Sequence, residues 1–187
     1  MPPFVVRLSR RLSCRDRTRG AAAVEAAIVL PVVLLLFVGI LEFGLIFKDA
    51  LAISSGVRAG GRIASAEPLK LSFARDAATQ VGNSMSSVNT TGVSMLYVYD
   101  PGNDPTKPID PRTSCTTKCV RYLWNTATSH FDAQRSSWDQ CATGSTQVSV
   151  MLSVQHKGLT SAPYASPTLV ETAVFAFEPA SSTATCQ

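Results

Sequence analysis

The chain offers few of the residues that catalytic and metal-binding patterns are made from. It has two histidines in 187 residues, His130 and His156, and they are too far apart in sequence to form a ligand pair. There is no C-x-x-C spacing, no H-E-x-x-H helix and no G-x-S-x-G elbow. A zinc site or a hydrolase of those types therefore has nothing to build on, and no catalytic residue, cofactor or metal ligand is assigned. Asp100, Asn103, Asp104 and Asp110 lie close in sequence but fail the EF-hand pattern, with the glycine misplaced. Charge is scarce as well, at 16% of residues against roughly 25% in an average soluble domain.

Positive charge is missing where nucleic-acid binding would need it. The formal net charge is +4, but residues 1–20 alone hold six arginines (Arg7, Arg10, Arg11, Arg15, Arg17 and Arg19) against Asp16. Beyond residue 20 there are 11 Lys and Arg against 12 Asp and Glu. A basic block directly before an apolar run is the cytoplasmic flank of the positive-inside rule, not a nucleic-acid footprint.

What the chain does have is one long apolar stretch. Residues 21–47 read AAAVEAAIVLPVVLLLFVGILEFGLIF, with Glu25 and Glu42 as the only charges. As a helix this is roughly 40 Å long, enough to cross a bilayer with some tilt. Pro31 is tolerable in such a helix, because neighbouring groups can satisfy the carbonyl it frees. Glu42 falls near the outer end and is expected to be solvated there. Everything after the stretch is more polar and richer in turns.

The rest of the chain reads as follows. The leader, 1–20, is expected to be unstructured, with helix starting near Ala21. It continues past Lys48 and Asp49 through residues 48–66, with Arg58 and Arg62 on one face. Gly56, Gly60 and Gly61 each weaken that helix by roughly 1 kcal/mol, so fraying or a kink is expected at Gly60 and Gly61. A second helix is predicted at 72–88, from Phe73, Ala77, Val81, Met85 and Val88. Strands are predicted at 93–99, 147–156 and 168–177, the last two pairing antiparallel. Four prolines make 100–112 a loop. Residues 113–146 are expected to hold little regular structure beyond a short helix at 131–138. His156, at the end of its strand, is expected to be exposed.

Five cysteines complete the inventory. Cys14 is in the leader, while Cys115, Cys119, Cys141 and Cys186 all lie beyond the apolar stretch. Four cysteines on the far side of a membrane suit two disulfides, and three pairings are open. The predicted fold class is α+β: a long N-terminal transmembrane helix, then a small disulfide-stapled ectodomain with a second helix and an antiparallel sheet. Its parts are a basic cytoplasmic leader (1–20), a transmembrane or assembly helix (21–47), a helix extension (48–66) and an ectodomain (67–187).

At the junction Gly20-Ala21-Ala22-Ala23-Val24-Glu25, a glycine follows the basic leader and an acid stands five residues beyond it. A cut after Gly20 would place a cationic amine on Ala21 one helical turn from Glu25. A carboxylate buried in lipid or among helices is costly unless it is paired, so Glu25 calls for such a partner.

Four features of the N-terminal region resemble TadE-like proteins, the minor pilins or pseudopilins of tight-adherence (Flp-type) pili. They are Arg19-Gly20 before the apolar run, Val24-Glu25, Leu30-Pro31, and Gly39-Ile40-Leu41-Glu42-Phe43-Gly44 near its end. The Arg58 and Arg62 stretch resembles the family too. Ala26 departs from it, since an aromatic residue usually follows the glutamate. The resemblance implies a minor pilin of the bacterial inner membrane, single-pass, with a cytoplasmic N-terminus and an extracytoplasmic C-terminal domain. It implies cleavage between Gly20 and Ala21 by a prepilin-type peptidase. The implied partners are other pilins and pseudopilins, that peptidase, the inner-membrane assembly platform and membrane lipid, with no nucleic acid. Two other readings remain open: an unprocessed membrane-anchored binding module, and a secreted domain released by signal peptidase at Ala50-Leu51-Ala52.

Overall fold

A computed structural model describes residues 16–88, 94–102, 110–138, 141–142, 144–160, 166–178 and 186. Residues 1–15, 89–93 and most of the proline-rich loop lie outside them. Two helices precede five strands: α1 (Asp16–Ala66), α2 (Phe73–Met85), β1 (Met95–Tyr99), β2 (Cys119–Asn125), β3 (His130–Ser136), β4 (Gln147–Gln155) and β5 (Thr168–Ala176). The strands form one antiparallel sheet in the order β3-β2-β1-β4-β5. This is the α+β arrangement expected from the sequence.

Helix α1 is longer at its start than expected. Residues 16–20, expected to be unstructured, are already helical, and the single glycine among them, Gly20, costs only about 1 kcal/mol. It also runs unbroken through Gly60 and Gly61 to Ala66. These glycines are sites of close packing. A Cβ on Gly60 would stand 2.5 Å from Val81 Cγ2 and 2.9 Å from the Ala77 carbonyl oxygen of α2. A Cβ on Gly56 would collide with Ser84 of α2, and one on Gly61 with the Phe175 ring of β5. The contacts that this closeness permits outweigh the weak helix propensity.

The chain divides into two compact units, Met1–Leu41 and Glu42–Gln187. In the first, the apolar side chains of α1 stand open, with Val24 61% and Leu35 70% exposed. In the second, α1 buries one stripe: Glu42, Asp49, Ile53, Val57 and Ala64. This stripe, with Phe73, Ala77 and Val81 of α2, packs on one face of the sheet against Leu96, Val98, Val120, Tyr122, Val150 and Leu152. The Phe73 ring meets Trp138 edge-on at 5.0 Å. At the start of α2, burial opposes ionisation of Asp76. Hydrogen bonds from Lys70 (2.7 Å) and Ser72 (2.9 Å) outweigh it and hold the carboxyl below its ordinary range.

The opposite face of the sheet buries Tyr97, Tyr99 and Met151 together with Cys115 and Cys119. With both faces covered, β4 is buried nearly throughout, while β5 alternates between half-buried and exposed.

Residues 113–146 differ most from expectation. In place of a short helix, β2 and β3 make a hairpin, with Trp124 opposite Phe131 and their rings 5.0 Å apart. Val120, Tyr122 and Trp124 alternate toward the core, and Asn125 Oδ1 accepts the Ala127 and Thr128 amides to close the turn. The alternation and the Asn-led turn outweigh the local helical spacing at 131–138.

Candidate functional site

The positions singled out at the N-terminus all lie on α1. Gly20, Ala21 and Glu25 are exposed, and the Glu25 side chain makes no hydrogen bond or ion pair among the described residues. No side chain lies near Gly20. Apart from Glu25, the surface from there to Leu41 is apolar, and only Gly39 in it is partly covered.

The second acid of the apolar stretch is in a different situation. Glu42 is 2% exposed, which corrects the expectation that it is solvated. Its Oε2 accepts the Leu159 amide at 2.9 Å, and its Oε1 accepts the Thr160 amide and the Thr160 hydroxyl, both at 2.7 Å. Three donors from the β4–β5 connection thus converge on one carboxylate, as burial of such a group requires.

Two turns further along α1, Asp49 is 1% exposed and lies 2.7 Å from Nδ1 of His156. His156 is fully buried, which corrects its expected exposure. Its Nε2 has no hydrogen-bond partner among the described residues. Its backbone amide donates to Pro167 at 3.0 Å, closing the base of the β4–β5 connection. Glu42, Asp49 and His156 therefore tie that connection to α1. Further along, Ser54 donates to Glu171 of β5 at 3.0 Å.

Cysteine pairing is resolved by the structure: Cys115 bonds Cys119 and Cys141 bonds Cys186. The first link closes a short loop under the outer face of the sheet. The second ties the C-terminal tail to the segment after β3, where Ala142 donates to Pro68 at 2.7 Å. Bonded in this way, the four sulfurs offer no thiolate to a metal.

The apolar helix, its buried acids and the sheet beyond can be set beside known families. Residues 20–62 match the family model of TadE-like proteins. No curated protein and no solved structure matches the chain. The TadE-like match falls on the stretch from which the resemblance was read, bears that resemblance out and supports an association with tight-adherence pili. The matched span takes in Gly20, Glu25, Pro31, Glu42, Asp49, Arg58 and Arg62, all carried on α1. That helix is the one described helix long and apolar enough to cross a membrane.

Sequence reasoning missed Asp49, His156 and the Gly56 and Gly60 pair. The signals were present. His156 continues the inward alternation of Val148, Val150, Leu152 and Val154, and Asp49 falls seven residues after Glu42 on the same helix face. Gly56 and Gly60 have the small-x-x-x-small spacing of close helix pairs.

Proposed function

We propose that the chain is a TadE-like minor pilin that takes part in assembling or initiating a tight-adherence pilus, and that it acts by helix packing. The basic leader stays in the cytoplasm, residues 21–47 cross the inner membrane once, and the domain at 67–187 lies outside. A prepilin-type peptidase cuts between Gly20 and Ala21. The exposure of Gly20, and the low cost of unwinding helix at a glycine, favour access to that bond. The freed Ala21 amine then pairs with Glu25 of a neighbouring pilin and sets the register of the bundle, as the assembly platform moves the subunit out of the lipid.

The observation that carries this reading is the TadE-like match, which begins at Gly20 and includes Glu25. The exposed apolar surface of α1 supports it, since such a surface needs lipid or other helices around it. Release by signal peptidase after Ala52 is disfavoured on packing grounds. It would strip Glu42 and Asp49 from the folded unit and leave His156 without the carboxylate it faces. N-terminal sequencing of the mature protein tests the proposal. A start at Ala21 is expected, and an intact leader or a start at Ile53 refutes it.

A further inference from the structure

The Glu42 contacts fix the height of the β4–β5 connection along α1. Leu159 and Thr160 donate their amides to Glu42, so this part of the connection lies at the level of Glu42. The whole apolar stretch is roughly 40 Å long as a helix, about 10 Å more than a hydrocarbon core needs. Residues 21–41 alone supply ~31 Å, which fills the core. The first residue beyond them is Glu42, where α1 changes from an open apolar surface to a helix with one buried stripe.

Large apolar side chains stand exposed at this level. Leu159 is 64% exposed, and Phe43 and Phe47 on α1 are 60% and 68% exposed. Surrounded by water, such a collar gains nothing. At a bilayer boundary each side chain recovers about 25 cal/mol for every Å² removed from water.

We propose that Leu159, in the part of the β4–β5 connection held by Glu42, is a membrane-contact residue. Its partner is the polar–apolar interface of a phospholipid bilayer, on the side where the ectodomain lies. Leu159, Phe43 and Phe47 enter the upper acyl region. Glu42, buried under the Leu159 and Thr160 amides, is shielded from lipid by the connection it holds in place. The apolar span then ends at Leu41, and the stretch to Phe47 belongs to the interface. This inference rests on the reading of α1 as a membrane span.

Lipid-quenching fluorescence tests it. The full chain carrying Cys14→Ser, with Leu159→Cys labelled by an environment-sensitive dye, is reconstituted in phospholipid vesicles containing spin-labelled lipid. Leu35→Cys and Leu71→Cys, in the same Cys14→Ser background, serve as the deep and distant references. Leu71 lies in the α1–α2 connection, just past Ala66, which is about 36 Å along the helix from Glu42. The probe at 159 should shift to the blue and lose more fluorescence to labels near the headgroup than to labels deep in the acyl chain. The probe at 35 should show the reverse depth order, and the probe at 71 no loss. A quenched probe at 35 with an unquenched probe at 159 overturns the membrane contact alone. An unquenched probe at 35 overturns the span and the inference with it. A blue shift at 159 without lipid quenching assigns Leu159 to a protein neighbour and also overturns the proposal.

Discussion

Gly60→Ala should destabilise the folded unit, although alanine is the better helix former by about 1 kcal/mol. The added methyl would lie 2.5 Å from Val81 Cγ2 and 2.9 Å from the Ala77 carbonyl oxygen. Val81 and Ala77 are both fully buried, so neither has space to move into. The carbonyl belongs to the backbone of α2, and moving it means moving the helix. Overpacking of this kind costs about 1–3 kcal/mol, and a backbone clash belongs at the upper end. Subtracting the propensity gain leaves a net loss of about 2 kcal/mol, or roughly 4–8 °C in Tm for a unit of this size.

Thermal unfolding of the full chain in detergent, followed by near-ultraviolet circular dichroism, reads the shift through the packed Phe73 and Trp138 rings. Gly44→Ala is the control, because nothing lies within 4 Å of a Cβ there. It should leave Tm unchanged or raise it. Adding Val81→Ala to Gly60→Ala should recover little, since the carbonyl contact remains. A Gly60→Ala protein at least as stable as the Gly44→Ala protein would refute the close approach of α1 and α2.

Two other perturbations follow from the buried pair and the disulfides. His156→Phe removes the ring nitrogen 2.7 Å from a carboxylate that is 1% exposed, and should cost roughly 2–4 kcal/mol. An unchanged Tm would mean that the pair adds nothing. Cys141 and Cys186 are separated by 45 positions and Cys115 and Cys119 by 4. Loop-closure entropy then assigns about 4 kcal/mol to the first link and about 2 to the second. Paired Cys→Ser variants, compared by chemical denaturation, should keep that order, and the reverse order would contradict the loop argument.

The elements with strong periodicity were legible from sequence: α2, β4 and β5, and the antiparallel pairing of the two strands. The hairpin of β2 and β3 was not, because its alternation competes with helical spacing at 131–138 and with cysteines that suggest irregular chain. Gly60 and Gly61 misled for a different reason. Propensity describes an isolated helix, whereas these residues are placed by what stands opposite them, namely Ala77, Val81 and Phe175. Glu42 and His156 were misread because local polarity stood in for tertiary partners. A carboxylate at the end of an apolar run reads as solvated unless the chain more than a hundred residues later is known to fold back over it. Gly20 and Glu25 are legible only as spacing, since their proposed roles depend on another molecule.

Helix α1 carries Glu25, Glu42 and Asp49 along or just past its apolar run, and the fold treats them unequally. Glu42 and Asp49 are met from within the chain, by the Leu159 and Thr160 donors and by His156. Glu25 has no such partner among the described residues. Bilayer and protein interiors both penalise an unmatched carboxylate, so the internal pairs make the second unit self-sufficient where it begins. Of these three acids, Glu25 alone has no partner among the described residues. A purely anchoring helix gains nothing from that arrangement, because an alanine at position 25 would insert at lower cost. A helix that exchanges lipid for other helices gains a selective contact, since an apolar neighbour leaves the carboxylate unmatched and a processed, cationic N-terminus does not. The unequal treatment of the three acids is thus a physical reason, separate from family resemblance, to regard α1 as an assembly helix. It also sets apart the consequences of losing them: Glu42→Ala should damage the folded unit, whereas Glu25→Ala should leave its melting unchanged and impair only assembly.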